Sequence, residues 1–365
     1  MEITVDKEQL RKLVQQVSTA IPARTTLPIL NNILFEIKDG KLYLYASNMD
    51  FSIKGFIPVD IVENVAFTVP GKTLLRILST LDVPVVKIVY SDRVSFIKWD
   101  GTEYKFMSLP PEEFPRMKEF GDQKGVKVKT AHLIEGYDFV GFCTAKDDPR
   151  PFLNGVLLEV SDGELRMVSS DAHKLGLYIR KIDEVGEKID AILSKDVFDF
   201  LSSSEEPEVV LAQDKGLFSF TFPKSKLVTR LIEGPYAPYR EVIPSEEGFV
   251  LKTSLKEIEG ALKRIQEVVS QSNFVIEWEL DGNSSVIKGT SESGEAKEKL
   301  SGEYRGESLR IGFNVKYLHE IIRHIDDEEV EFHFYGPKLA CMIKPAETKK
   351  HNYSLLYLLM PVSLE

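Results

Sequence analysis

Cysteine is nearly absent from this chain, with Cys143 and Cys341 the only two in 365 residues. Two thiols cannot build a disulfide framework or a cysteine-based zinc site, and both are expected to be reduced and half-buried. No apolar run approaches the length that spans a bilayer. The opening MEITVDKEQLRKL lacks the charged start, apolar stretch and small-residue cleavage site of a secretory signal, so a cytoplasmic protein without a membrane partner is expected. Positive charge is also short: 46 Lys+Arg stand against 57 Asp+Glu, a formal net charge of −11. On that balance alone a nucleic-acid partner is disfavoured, although net charge does not say where the basic residues gather. Catalytic signatures are missing as well. His173 sits beside Asp171 in SDAHKL without a serine or cysteine nucleophile, and the acids come in runs such as SSSEEPE and DDEEVE that suit solvated loops.

What the chain does have is length and repetition. With 43% hydrophobic and 28% charged residues it can fill two or three domain cores. PILNNILFEIKDGKL (28–42) returns as PFLNGVLLEVSDGEL (151–165), an offset of 123 residues at which Pro28, Leu30, Asn31, Leu34, Glu36, Asp39, Gly40, Leu42 and Ser47 meet identical residues. Both read as a β-hairpin: an alternating strand, a DG turn and a second alternating strand. FVIEWELDGNSSVIKGTS (274–291) is a fainter third copy. Each copy opens with a short strand and an amphipathic helix, in which Asp6-x-x-Gln9 and Ser254-x-x-Glu257 resemble capping boxes. A second helix follows in PGKTLLRILSTL, LSKDVFDFLSSS and NVKYLHEIIRHI, with Lys72, Lys195 and Lys316 at matching places, and a strand pair closes each copy. The expected fold is α+β, three repeated domains of two helices packed on antiparallel sheet, covering 1–120, 121–245 and 246–365.

Two motifs invite a different reading. AFTVPGKT (66–73) fits a relaxed phosphate-loop pattern, the basis of an alternative in which the chain is an ATP-dependent DNA enzyme. Ala66 replaces the first glycine, however, and Pro70 removes one backbone donor. His319 and His324 lie five residues apart, which turns their side chains about 140° from each other on a helix, so a solvated helix end is expected and no metal or cofactor is assigned.

Basic residues favour the solvent faces of the repeated helices. Lys7 and Arg11 lie four apart with Lys12 alongside, Lys72 and Arg76 lie four apart, and Lys256, Lys263 and Arg264 share a helix. Such faces lining one channel would meet phosphates without reading bases, while surplus acid elsewhere repels DNA from the outside.

Taken together, PILNNILFEIKDG, FLNG, SDAHKL, PYREVIP, FNVKY and the terminal MPVSL closely resemble the bacterial replicative sliding clamps, the beta subunits of DNA polymerase III, over essentially the whole chain. The resemblance implies a non-enzymatic processivity factor, a head-to-tail homodimer whose six domains close around double-stranded DNA. It also implies a peptide-binding cleft used by the polymerase III catalytic subunit, the clamp loader, other polymerases and repair proteins. Carried over, the cleft uses Leu153, Ser170, Ala172, His173, Leu175 and Val242, then Phe274, Asn314 and Tyr317, then Met360, Pro361, Val362 and Leu364. DNA contacts fall to Arg24, Lys72, Arg150 and Lys195, with Arg76 on the same helix as Lys72. The chain departs from the family pattern at Ala172, where glycine is common, at Lys174, Glu241 and Ser363, where arginine is common, and at Asp147, close to Arg150.

Overall fold

A computed structural model describes residues 1–61, 63–116, 125–183, 186–270, 273–282, 284–292, 294–347 and 351–364. The expected boundary at 120/121 lies outside them. The first copy runs β1 (Glu2–Asp6), α1 (Lys7–Ser18), β2 (Asn32–Lys38), β3 (Lys41–Ser47), β4 (Phe51–Pro58), β5 (Val65–Pro70), α2 (Gly71–Thr80), β6 (Val85–Ser91), β7 (Val94–Trp99) and β8 (Thr102–Met107). The second repeats the order: β9 (Val126–Lys129), α3 (Thr130–Val140), β10 (Gly155–Ser161), β11 (Glu164–Ser170), β12 (Lys174–Lys181), β13 (Ile189–Ser194), α4 (Asp196–Ser202), β14 (Glu208–Asp214), β15 (Leu217–Thr221) and β16 (Ser225–Arg230), with a single turn α5 (Tyr239–Val242) after it. The third adds one short strand: β17 (Phe249–Ser254), α6 (Leu255–Val269), β18 (Val275–Asp281), β19 (Ser284–Ser291), β20 (Gly294–Leu300), β21 (Glu303–Arg305), β22 (Leu309–Asn314), α7 (Val315–Arg323), β23 (Glu329–Phe334), β24 (Cys341–Pro345) and β25 (Tyr353–Leu359).

Local chemistry accounts for these elements. The DG turns put both central residues in the left-handed region, Asp39 at φ 51° with Gly40 at 70°, and Asp162 at 54° with Gly163 at 74°. That is the two-residue hairpin geometry whose twist matches the flanking strands. Asp6 Oδ1 accepts the Gln9 N–H at 2.8 Å and Ser254 Oγ accepts that of Glu257 at 3.4 Å, which starts α1 and α6. The reciprocal half of the second capping box is not made, because the Glu257 carboxylate accepts instead from the backbone N–H of Ser301 at 2.8 Å. The helices bury the expected stripes, Leu10, Leu13, Val14 and Val17 on α1 and Ile258, Ala261, Leu262 and Ile265 on α6. Gly55 lets α1 approach β4 closely, since a Cβ there would stand 2.4 Å from Leu13 Cδ1.

The chain forms two compact units. The first, Met1–Leu133 with Lys195–Leu231, holds a four-stranded sheet in the order β1-β6-β7-β8 and an eight-stranded sheet in the order β5-β2-β3-β4-β16-β15-β14-β9. The second, Ile134–Ser194 with Ile232–Glu365, holds a nine-stranded sheet, β13-β10-β11-β12-β25-β24-β23-β17-β21, and a four-stranded sheet, β20-β19-β18-β22. The sequence copies are therefore joined inside sheets. In unit one the third hairpin strand of copy one, β4, pairs antiparallel with the last strand of copy two, β16. In unit two β12 pairs in the same way with β25, the last strand of copy three. Both cysteines are fully buried rather than half-buried, and burial pushes each thiol well above its ordinary pKa.

Candidate functional site: an apolar groove beside the Ser170–Leu175 turn

The site starts from one tight turn. Ser170 Oγ donates to the Lys174 carbonyl at 2.9 Å and accepts the Ala172 N–H at 3.1 Å, while Asp171 Oδ1 accepts the N–H groups of His173 and Lys174 at 2.9 and 2.8 Å. Ala172 is thereby held at φ 72°. The first copy builds the same turn at the same offset. Ser47 Oγ donates to the Phe51 carbonyl and accepts from Met49, Asn48 Oδ1 accepts from Asp50 and Phe51, and Met49 stands at φ 81°. SDAHKL and SNMDFS thus share a backbone and differ in what they display. A left-handed residue with a Cβ is strained by about 1–2 kcal/mol, so Ala172→Gly is expected to raise stability by about 0.5–1 kcal/mol after the added freedom of the unfolded glycine is deducted. Denaturant unfolding checks this, and a lower midpoint would contradict it.

The turn borders a groove of about 240 Å³ within unit two, whose walls include Leu153, Ser170, Ala172, His173, Leu175, Val242 and Met360. Leu153 and Leu175 are buried, whereas Val242 and Met360 are 56% and 45% exposed. Large apolar side chains left in water around an apolar floor mark a docking surface more than a core. Another wall is the segment leading into α5, with Tyr236 and Pro238, and the first residue of α5, Tyr239. It is tied to β10 by Glu159, which accepts from Tyr239 Oη at 2.5 Å and from Arg240 Nη2 at 2.7 Å. Burial first, and then the Glu159 carboxylate, push the Tyr239 phenol pKa up.

Lys174 matters more to the site than its place in the sequence suggests. It is 6% exposed, pairs with Asp171 at 2.8 Å and Glu320 at 3.2 Å, and lies 4.5 Å from the Tyr317 ring centroid. Burial opposes its charge, but the two carboxylates more than offset that and raise its pKa. His173 stacks on Tyr317 at 5.7 Å, so the turn and the start of α7 form one wall.

The tail completes the arrangement. After the buried Leu359, Met360 N–H donates to the His173 carbonyl at 2.8 Å and Val362 N–H to the Gly312 carbonyl at 2.9 Å, an isolated bridge on the edge of β22. Gly312 leaves room for this, since a Cβ there would meet Val362 O and Leu364 Cδ2 at 2.7 Å. Pro361, Val362 and Leu364 therefore run along β22 and do not line the groove itself. Asn314 caps α7 by accepting the Lys316 N–H at 3.0 Å, and Phe274, at φ 58°, lies under the Lys316 ammonium, 3.3 Å from the ring centroid. These residues gather at the α7 start, next to the wall that Tyr317 shares with His173.

Other singled-out residues fall elsewhere. Arg24, Lys72, Arg76 and Lys195 lie in unit one, and Lys72 Nζ donates to the Pro22 carbonyl at 2.9 Å, tying the α2 start to the loop that carries Arg24. Arg150 borders the groove of unit two and is paired with Asp148, not with Asp147, through Nε at 2.9 Å and Nη2 at 3.0 Å. That pairing holds the Asp148 carboxyl at about 2. The helix faces are less open than their lysines and arginines suggested, because Arg11 binds Glu8, Lys12 binds Glu205 and Arg264 binds Glu298.

AFTVPGKT builds no phosphate cradle. Residues up to Pro70 are strand, the helix starts at Gly71 with no loop between, and a Cβ on buried Gly71 would stand 2.3 Å from Ile21 Cδ1. His324 is the partly exposed C-cap of α7, with its ring stacked on Phe142 at 3.9 Å, and His319 Nδ1 lies 3.1 Å from Gln266 Oε1. Among the described residues no group of three or more His, Cys, Asp or Glu could hold a metal, and no helix is long and apolar enough to cross a membrane.

Three copies of one module of strands and two helices, joined strand to strand, with an apolar groove in unit two, define a chain of DNA-clamp domains. Residues 1–118, 127–238 and 240–362 match the N-terminal, central and C-terminal domains of the DNA polymerase III beta subunit. The chain belongs to that family, the bacterial sliding clamps, and works as a processivity clamp. It is 25% identical to the beta sliding clamp of Pseudomonas aeruginosa and 24% to that of Vibrio cholerae, with 100% of each chain covered in both cases. Its structure matches the crystal structure of the DNA polymerase III beta subunit from Thermotoga maritima with a TM-score of 0.92 and 27% identity over 100% of both chains. The reading of AFTVPGKT as the nucleotide site of an ATP-dependent enzyme is corrected by the same findings.

Proposed function

We propose that two copies of this chain join head to tail into a closed ring of six domains that encircles duplex DNA, and that the ring performs no chemistry. The observation that carries this is the rule by which the copies are joined. The last strand of each hairpin trio pairs antiparallel with the last strand of the following copy, as β4 does with β16 and β12 with β25. Continued once more, the rule leaves β20 of copy three needing a final strand of copy one, which is β8. Both are open edges of their four-stranded sheets. Exposed edges of this kind are ordinarily covered, and a heterologous contact of β20 with β8 of a second subunit closes if the rotation allows it.

In that ring Arg24, Lys72, Arg76, Arg150 and Lys195 meet phosphates without reading sequence, and displaced counter-ions make the contact salt-sensitive and mobile. Exposed pairs such as Arg150–Asp148 are weak enough to exchange for phosphate. The groove of unit two holds apolar anchors of partner peptides from the polymerase III catalytic subunit, the clamp loader, other polymerases and repair proteins. Phe274, Asn314, Tyr317 and the tail extend that groove along the α7 start. The work takes place in the cell interior, where the DNA is. The three domains are set at 1–120, 121–245 and 246–365.

The test is topological. Loaded by a cognate loader onto nicked circular DNA, the protein should stay bound through gel filtration at high salt and be lost when the circle is linearised. Equal retention on circle and linear DNA would reject encirclement.

A further inference from the structure

The two open edges, β20 and β8, carry charges of both signs, and the repeat says how those charges meet. From the first residue paired after each hairpin turn, Lys41, Glu164 or Ser284, the sixth residue on is Ser47, Ser170 or Thr290, and across the next strand pair it faces Ser52, Leu175 or Glu295. Ser52, Leu175 and Glu295 therefore hold one position in the repeat. In the β4–β16 seam Ser52 faces Val228. Val228 stands three residues past Ser225, where β16 starts, and at the 123-residue offset its counterpart is Lys105, three residues past Thr102, where β8 starts. Carried to β20 and the β8 of a second copy, that register sets Glu295 opposite Lys105, Ala296 opposite Tyr104 and Lys297 opposite Glu103.

The register follows from the backbone repeat alone, yet each charged residue in it meets its opposite. Among the described residues Lys105, Glu295 and Lys297 make no ion pair within the subunit, while Glu103 pairs with the exposed Lys98 at 2.9 Å. Size matches as well as charge. Tyr104, 45% exposed on the open edge, meets the small Ala296, just as Tyr357 meets Gly176 at the same position of the β12–β25 seam. Phe106 meets Gly294, where an added Cβ would find nothing within 4 Å. Competing registers fare worse. A slip of two residues one way opposes Glu295 to Glu103, the same slip the other way opposes Lys297 to Lys105, and like charges directly opposed across a strand pair repel. A slip of one turns every side chain to the wrong face.

We infer, resting on the ring proposed above, that Glu103, Lys105, Glu295 and Lys297 form a two-pair charge code that fixes the register of the subunit seam and selects a second copy of this chain as the partner. The pairs are exposed and each is weak alone. A closed ring holds each of them twice, and every register two residues away trades an attraction for a repulsion, which is how specificity is gained without tight contacts. An edge strand with another order of charges is turned away by the same four residues.

The test is cross-linking of the full chain, whose own two cysteines are buried. Directly opposed strand residues lie close enough for a disulfide. Ala296→Cys with Tyr104→Cys leaves all four charges in place and should give a covalent dimer under mild oxidation. The slipped pairs, Ala296→Cys with Thr102→Cys and Glu298→Cys with Tyr104→Cys, should give about a tenth as much or less. Lys105→Glu and Glu295→Lys should each weaken self-association in sedimentation about tenfold or more, and the two together should restore it. A dimer that cross-links best through a slipped pair, that neither reversal weakens, or that the double reversal fails to restore overturns the charge code and leaves the ring standing. An unmodified chain that stays monomeric at high micromolar concentration rejects both.

Discussion

Deletion of Met360–Glu365 should weaken binding of an apolar-anchored partner peptide about thirtyfold or more, and leave the thermal unfolding transition within a few degrees of the full chain. The buried part of the last strand ends at Leu359, so the deleted residues leave the core of unit two filled. What is lost is the side chain of Met360 at the groove, the Val362–Gly312 bridge and Leu364, which stands 37% exposed against Gly312. Covering two such side chains on binding contributes about 2 kcal/mol once ordering costs are deducted, which is the thirtyfold. Isothermal titration with a peptide bearing two apolar anchors measures it, and sedimentation shows that the subunit assembly is unaltered. Unchanged affinity would refute a role for the tail.

Trp278→Ala should cost more stability than any substitution on the groove or the tail. Trp278 is fully buried on β18, edge-on to Phe332 at 4.9 Å, Phe334 at 5.8 Å and Phe313 at 6.4 Å, and its Nε1–H donates to Ser285 Oγ at 2.9 Å. Truncation opens a cavity between the two sheets of unit two and leaves the Ser285 hydroxyl buried without its donor, at a cost of about 3–5 kcal/mol. For a cooperative unit of this size that lowers the midpoint by about 10 °C. Scanning calorimetry should show the loss in one unfolding transition, and a shift under about 3 °C would mean that the site repacks.

Much of the fold was legible because its signals are local. A DG turn between alternating strands, an Asp or Ser three residues before a helical stripe, and repetition at 123 residues needed only neighbours to be read. The joins between copies were not, because β4 meets β16 and β12 meets β25 across long stretches of chain and no composition marks which edges meet. The burial of Lys174 was hidden for a related reason. A lysine in a strand reads as surface, and only the packing of α7 brings Glu320 to it. The shared turn lay between these cases. Ser47-Asn48 and Ser170-Asp171 preserve the oxygens that tie it, so its backbone persists while the displayed residues change from Met49-Asp50-Phe51 to Ala172-His173-Lys174. The likeness that faded in sequence at that point is intact in the main chain.

The strand joins also set limits on how this molecule can be divided. A gene cut at the end of a sequence repeat would free a polypeptide with a bare strand along one side: β12 without β25, or β16 without β4. Such a fragment carries a sticky seam of backbone donors and acceptors, and copies of it would zip onto one another. Each module finishes its neighbour's weave, and a laboratory that wants a single piece must supply the missing strand along with it.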